Sequence, residues 1–220
     1  MGRTLLRQRE IEQKELYIGK ILIFCEGYTE KNYFEFFKKL IKDKFSNIVI
    51  ETETVGSNAR AVYNYAESFL KNDQNVSKYA VYDKYLVFDC DAPDDILDVI
   101  DDAKSSANQY QLLISSLLFE CWLLMHIEIL PAAPLRKKAI GDKLTKHLDL
   151  DDYENHKDDE GIIAKIIKGQ DNLSNAIQNA RDLRELYQAQ GETIETIIDK
   201  YLPYSEVYEL VEQLAIAASI

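Results

Sequence analysis

The stretch Lys20–Glu30, KILIFCEGYTE, decides how this chain is read. After one lysine, Ile21–Cys25 is a continuous apolar run, the pattern of a strand buried on both faces of a sheet. Glu26-Gly27-Tyr28-Thr29 breaks the run, and Thr29 is placed to cap the next helix. That helix is predicted from about Glu30 to Phe45, where Tyr33, Phe36, Phe37, Leu40 and Ile41 recur at helical spacing. Strand, turn and amphipathic helix make one βα unit, with Glu26 at the carboxyl end of its strand.

The unit repeats downstream. Residues 47–54 (NIVIETET) read as a second strand. Gly56-Ser57-Asn58 reads as a loop whose Asn58 caps a helix from Ala59 to about Asn72, and residues 73–78 read as a polar loop. Residues 85–89 (YLVFD) read as a third strand ending in Cys90-Asp91-Ala92-Pro93, and Pro93 suits the first turn of a helix running to about Asn108. Residues 111–115 (QLLIS) read as a fourth strand, followed by an apolar helix over 118–129 that stops at Pro131 and Pro134. This alternation predicts an α/β fold: a mostly parallel four-stranded sheet covered by helices, spanning residues 19–130. Residues 1–18 read as an N-terminal arm or helix. Residues 131–220 read as a helical C-terminal region without a strand, with helices at about 135–148, 158–168, 171–190, 192–200 and 204–217 and an acidic linker over 149–152.

Composition bounds the function. The 220 residues are 46% hydrophobic and 29% charged, which suits a globular chain. The net charge of −12 repels polyphosphate at long range, so a nucleic-acid partner would need a local basic patch, a bridging cation or a basic protein. Cys25, Cys90 and Cys121 lack ligand spacing, which disfavours zinc and fits buried thiols. The polar N-terminus holds no apolar signal core, and no run approaches the roughly 18 apolar residues of a membrane span. A cytoplasmic protein with no membrane partner is expected. The chain has no GxxxxGK[ST], GxSxG or HExxH motif.

The chemistry concentrates at strand ends. Ligands of open parallel sheets bind beyond the carboxyl ends of the strands. Glu26 follows the first strand, and Asp89 and Asp91, two residues apart, project to one side at the end of the third. If those strands are neighbours, as in a flavodoxin-like order, three carboxylates share one crevice. They repel unless a cation neutralises them, and hard oxygens suit Mg²⁺, with Mn²⁺ a possible substitute. A DxD pair on a surface loop is often only solvated. Its place here, closing an apolar strand, is what marks it. Asp94, Asp95, Asp98, Asp101 and Asp102 read as helix-start or surface acids.

Ile21–Glu30 and then Leu86–Asp91 (LVFDCD) resemble the two Toprim motifs of primases, topoisomerases and certain nucleases. More narrowly, the chain is similar to the RloB/AbiLii family of bacterial phage-defence, or abortive-infection, proteins. The family's "EGxTExxYF" start is seen at Glu26–Phe34. Its "SNPxFExWLLLHF" segment is seen at Ser115–Ile127, with Ser116-Leu117 in place of Asn-Pro, and Pro203–Val211 is similar to its closing segment. The resemblance implies a Toprim-like domain in which Glu26 serves as general acid or base and Asp89 and Asp91 hold Mg²⁺. It also implies an AAA-type ATPase as partner.

Further candidates surround this set. Glu120, after the fourth strand, reads either as an additional metal ligand or as a helix-start carboxylate satisfied by backbone amides. Glu30 either assists the metal or sits in the first helical turn. His126 either orients substrate or is a buried, hydrogen-bonded histidine. Trp122 reads as core, and His147 and His156 as surface. Arg136, Lys137 and Lys138, with Lys143 and Lys146 beyond, form the better nucleic-acid-binding candidate, and Lys38, Lys39, Lys42 and Lys44 form another. Either cluster is also read as a solvated helix face. Ser57 and Asn58 are candidate phosphate contacts or plain turn residues.

The expected function is Mg²⁺-dependent cleavage of RNA or DNA in anti-phage defence, together with an AAA-type ATPase. The alternative is a non-catalytic metal- or nucleotide-binding regulatory subunit of such a complex, and a third reading is nucleotidyl transfer. A homo-oligomer is also expected.

Overall fold

The computed structural model describes residues 19–42, 49–55, 58–90, 95–169 and 171–218. Expectations for residues 1–18, Lys44, Gly56, Ser57, Asp91, Pro93 and Asp94 lie outside these residues.

The apolar runs form the strands β1 (Lys20–Cys25), β2 (Val49–Thr54), β3 (Asp83–Cys90) and β4 (Gln111–Ser116). A fifth, β5 (Tyr204–Ser205), lies in the region read as purely helical. The sheet is therefore five-stranded, not four-stranded, in the order β2-β1-β3-β4-β5. The first four strands are parallel, and β5 runs antiparallel, with Ser115 opposite Ser205 and Ser116 opposite Tyr204. Two residues carry no readable period-2 pattern, so β5 is defined by its partner, not by its own sequence. Its backbone pairing is supplemented by the buried Ser115 and Ser205 hydroxyls, 3.2 Å apart.

The helices are α1 (Tyr28–Lys42), α2 (Ala59–Lys71), α3 (Asp73–Tyr79), α4 (Ile96–Ser105), α5 (Glu120–Met125), α6 (Lys137–Leu148), α7 (Glu160–Lys168), α8 (Asn172–Ala189), α9 (Ile194–Asp199) and α10 (Tyr208–Ala218). Asn58 caps α2 as expected, accepting from the Ala61 amide at 3.0 Å. The expected polar loop at 73–78 is instead α3. Asn72 ends α2 and caps α3, its side chain accepting from the Gln74 amide at 3.1 Å, so a polar stretch becomes a helix through its cap. Thr29 is not the cap of α1. It lies inside the helix, and its hydroxyl donates to the Lys157 carbonyl at 3.3 Å.

Alternation along the strands divides the core. Ile21, Ile23, Cys25, Tyr85, Val87 and Leu113 face α1, α5 and the helices after residue 136, and one continuous apolar cluster runs from these strands through Trp122, Leu144, Tyr153, Ile166, Tyr187 and Val211. Leu22, Phe24, Leu86, Phe88 and Ile114 pack on the other face, with Val62 and Ala66 of α2 and Val99 and Ile100 of α4. With both faces covered, the central strands need apolar residues at every position, which is the reason the runs were visible. Among the described residues no helix is long and apolar enough to cross a membrane. Cys25, Cys90 and Cys121 are all buried.

Candidate functional site

The parallel pairing of β1 with β3 sets the site. Cys25 is opposite Val87, and the next residue continues the pairing: the Glu26 amide donates to the Val87 carbonyl at 3.2 Å. The Asp89 amide in turn donates to Glu26 Oε2 at 3.2 Å. The strand order places the two acids side by side at the carboxyl edge, both half-buried. Asp89 is opposite Ser115 of β4, so the edge continues toward β5. Asp91 lies outside the described residues. Among those described, no three His, Cys, Asp or Glu side chains form a ready-made metal cage.

Two more carboxylates converge beneath this pair. Glu30 occupies the first turn of α1, and its carboxyl folds back to accept from the Gly27 amide and from its own. A Cβ on Gly27 would stand 2.8 Å from Glu30 Oε2, so glycine leaves the room this return needs. Burial pushes the Glu30 carboxyl up to about 8, and the charges of Glu120 and Glu26 push the same way. Glu120 opens α5, and its carboxyl is also raised, chiefly by burial, with Lys157 opposing. Both carboxyls use helix-start backbone amides, one of the two readings offered for each, and Glu30 feels the charges of both Glu26 and Glu120. Cys121 follows Glu120 in α5. Its thiol is raised by burial, with Asp89 and Glu120 adding to the effect.

The C-terminal region closes this neighbourhood from above. The segment between α6 and α7 is tied to α1 by Thr29 on the Lys157 carbonyl and by Asn32 Nδ2 on the Asp158 carbonyl at 2.8 Å. It inserts Tyr153, fully buried, whose hydroxyl lies close enough to Glu120 to steady its charge while falling short of hydrogen-bond geometry. Tyr153 and Lys157 were missed from sequence. The available signal was one aromatic in the polar run Asp151–Asp159.

The structure does not bring His126 to this edge. It is buried within the core, with Nε2 3.1 Å from the Tyr33 hydroxyl and Nδ1 3.0 Å from the Trp122 carbonyl. Its ring meets those of Tyr33 and Trp122 edge-on, at 5.7 and 4.9 Å between centroids. Burial lowers its pKa to about 4, which keeps the imidazole neutral.

The basic candidates divide. Lys38 pairs with Glu35 at 2.8 Å and Lys39 with Glu160, while Lys143 is committed to Glu128. Arg136, Lys137 and Lys138 are exposed at the start of α6. Arg136 and Lys137 line a cleft of about 610 Å³ with Leu117, Pro134, Leu135 and Tyr201. Leu117 follows β4 with φ 72°, a left-handed conformation no proline reaches, so this turn differs from one built on Asn-Pro.

The sequence profile of the RloB-like proteins matches residues 21–214, which takes in every acid described above. The chain belongs to the RloB-like family. No curated protein matches it, and no solved structure does. Within this RloB-like chain, the donor chemistry fits a hard divalent cation. Glu26 and Asp89 are hard-oxygen residues at adjacent strand ends, linked through the Asp89 backbone amide, and Mg²⁺ typically takes one or two carboxylates while keeping several waters.

Proposed function

We propose that this RloB-like protein is a Mg²⁺-dependent nuclease with a Toprim-like catalytic edge, acting in anti-phage defence beside an AAA-type ATPase. The observation that carries the reading is the hydrogen bond from the Asp89 backbone amide to the Glu26 carboxylate, which sets the two acidic residues side by side at the carboxyl ends of adjacent parallel strands. Glu26, Asp89 and Asp91 are the residues that would hold the ion, with Glu120 and Glu30 behind them. Bound there, Mg²⁺ would neutralise phosphoryl charge and lower the pKa of water. Glu26, half-buried at the end of β1, would serve as general base toward the attacking water. Glu30, raised by burial and by its acidic neighbours, holds its proton at neutral pH and so lessens the repulsion among the acids. Burial of α5 and Tyr153 behind the acids excludes water from their inner side.

The net charge of −12 supports the same division of labour. An acidic chain meets an anionic strand through a bridging cation and a local basic patch, not through its overall field. The test is digestion of labelled RNA and DNA with Mg²⁺ or Mn²⁺, with and without the ATPase. Glu26→Gln and Asp89→Asn are each expected to lower cleavage by about a hundredfold or more. Unchanged cleavage in both variants would overturn the reading.

A further inference from the structure

We infer that the carboxyl edge is one station on a track for a single-stranded nucleic acid, and that the cleft of Tyr201, Arg136 and Lys137 holds a nucleotide beside the scissile one. This rests on the nuclease reading above and names the form of its substrate. Chemistry along the edge follows strand order. Beyond β1 stands Tyr28, exposed, with Lys31 Nζ 5.8 Å from its ring centroid. Next come Glu26 and Asp89. Beyond β4 comes Leu117, which forms the inner wall of the cleft. β5 starts at this same edge, because Tyr204 is opposite Ser116, so Tyr201 is delivered there three residues earlier.

Tyr201 is held in place, not left loose. The Leu135 amide donates to its carbonyl at 3.0 Å, which ties the two walls of the cleft together. Its φ of 54° is the left-handed position of a Schellman cap on α9, with the Tyr201 amide donating to the Ile198 carbonyl and the Leu202 amide to the Ile197 carbonyl, both at 3.0 Å, and its ring is exposed. The cap fixes the backbone that presents this exposed ring at the cleft. Exposed aromatic faces beside Arg and Lys take unpaired bases by stacking and their phosphates by charge. Asp89 is opposite Ser115, one strand spacing away, and Leu117 is two residues on, which sets the inner wall on the order of 10 Å from Asp89. Exposed tyrosines at two points of this edge, Tyr28 after β1 and Tyr201 before β5, suit a strand and not a lone nucleotide. A duplex offers neither of them a free base face.

The test is fluorescence anisotropy of the full chain with labelled oligonucleotides of about twelve nucleotides, single-stranded RNA and DNA against the matching duplexes, with Ca²⁺ in place of Mg²⁺ so that the bridging cation is kept without cleavage. Single strands should bind more tightly than duplexes, and the RNA and DNA arms identify which strand it is. Tyr201→Phe should bind as wild type. Tyr201→Gly, which relieves the left-handed backbone and so keeps the fold, should weaken binding about tenfold. Arg136→Ala should reduce the salt dependence by about one phosphate contact. Equal binding by Tyr201→Gly, or equal affinity for duplex or for AMP, would overturn the inference. No binding alongside Glu26-dependent cleavage would overturn the track alone. Neither binding nor cleavage would overturn the nuclease reading with it.

Discussion

His126 and Glu30 are both buried, both ionisable and both candidates from sequence, yet their surroundings differ in kind. Each ring nitrogen of His126 has a protein partner and its faces are packed by Tyr33 and Trp122. Glu30 has backbone amides on one side and the charges of Glu26 and Glu120 on the other. The first is a completed core group, neutral by burial. The second is an acid among acids, and the exposed Lys157 opposes the charge of its neighbour Glu120. Burial of a titratable group alone therefore does not mark a site. What marks it is burial with charges left for something else to balance.

Removing His126 tests that contrast most severely. His126→Ala leaves a cavity and strips partners from the Tyr33 hydroxyl, so it should cost about 3–5 kcal/mol by urea unfolding while leaving Mg²⁺ affinity unchanged. A large loss of metal affinity in a folded variant would erase the distinction.

The pH dependence of the metal-free protein should separate the two groups by sign. The folded-state pKa of His126 is depressed, so its contribution is intact above the unfolded value near 6.5 and is lost as pH falls toward about 4. Glu30 is raised, so its contribution is intact below about 4.5 and is lost as pH rises toward about 8. Glu30→Gln mimics the neutral acid. It should stabilise the metal-free protein by roughly 2–3 kcal/mol at pH 8 and by little at pH 5, and should reduce stabilisation by added Mg²⁺. Thermal unfolding across this range checks both slopes.

Lys157→Met sharpens the comparison at its weak end. The lysine is half-exposed and pairs with Glu154 at 3.3 Å, so its removal should change stability by no more than about 0.5 kcal/mol. A loss of several kcal/mol would make Lys157 the resident counter-ion and weaken the case for a metal.

Much of this was legible in the residues. The runs at Ile21–Cys25 and Tyr85–Phe88 are visible because both faces of the sheet are covered, and Glu26 and Asp89 are visible because they end those runs. The contact between the two acids was legible only as a condition, since adjacency of β1 and β3 is a property of topology and no local pattern encodes it. β5 and α3 were missed for the same kind of reason: one is set by its neighbour β4, the other by the cap Asn72. Tyr153 and Tyr201 sit in polar or turn-rich stretches, and their roles come from where the C-terminal region folds back over the edge.

The central claim is that the acids at the end of β1 and β3 gather around a divalent ion. The direct measurement is anomalous scattering from crystals soaked in Mn²⁺. The account expects a peak touching the carboxylates of both Glu26 and Asp89. Saturating Mn²⁺ with no peak at that edge, or a peak held by neither acid, would contradict it.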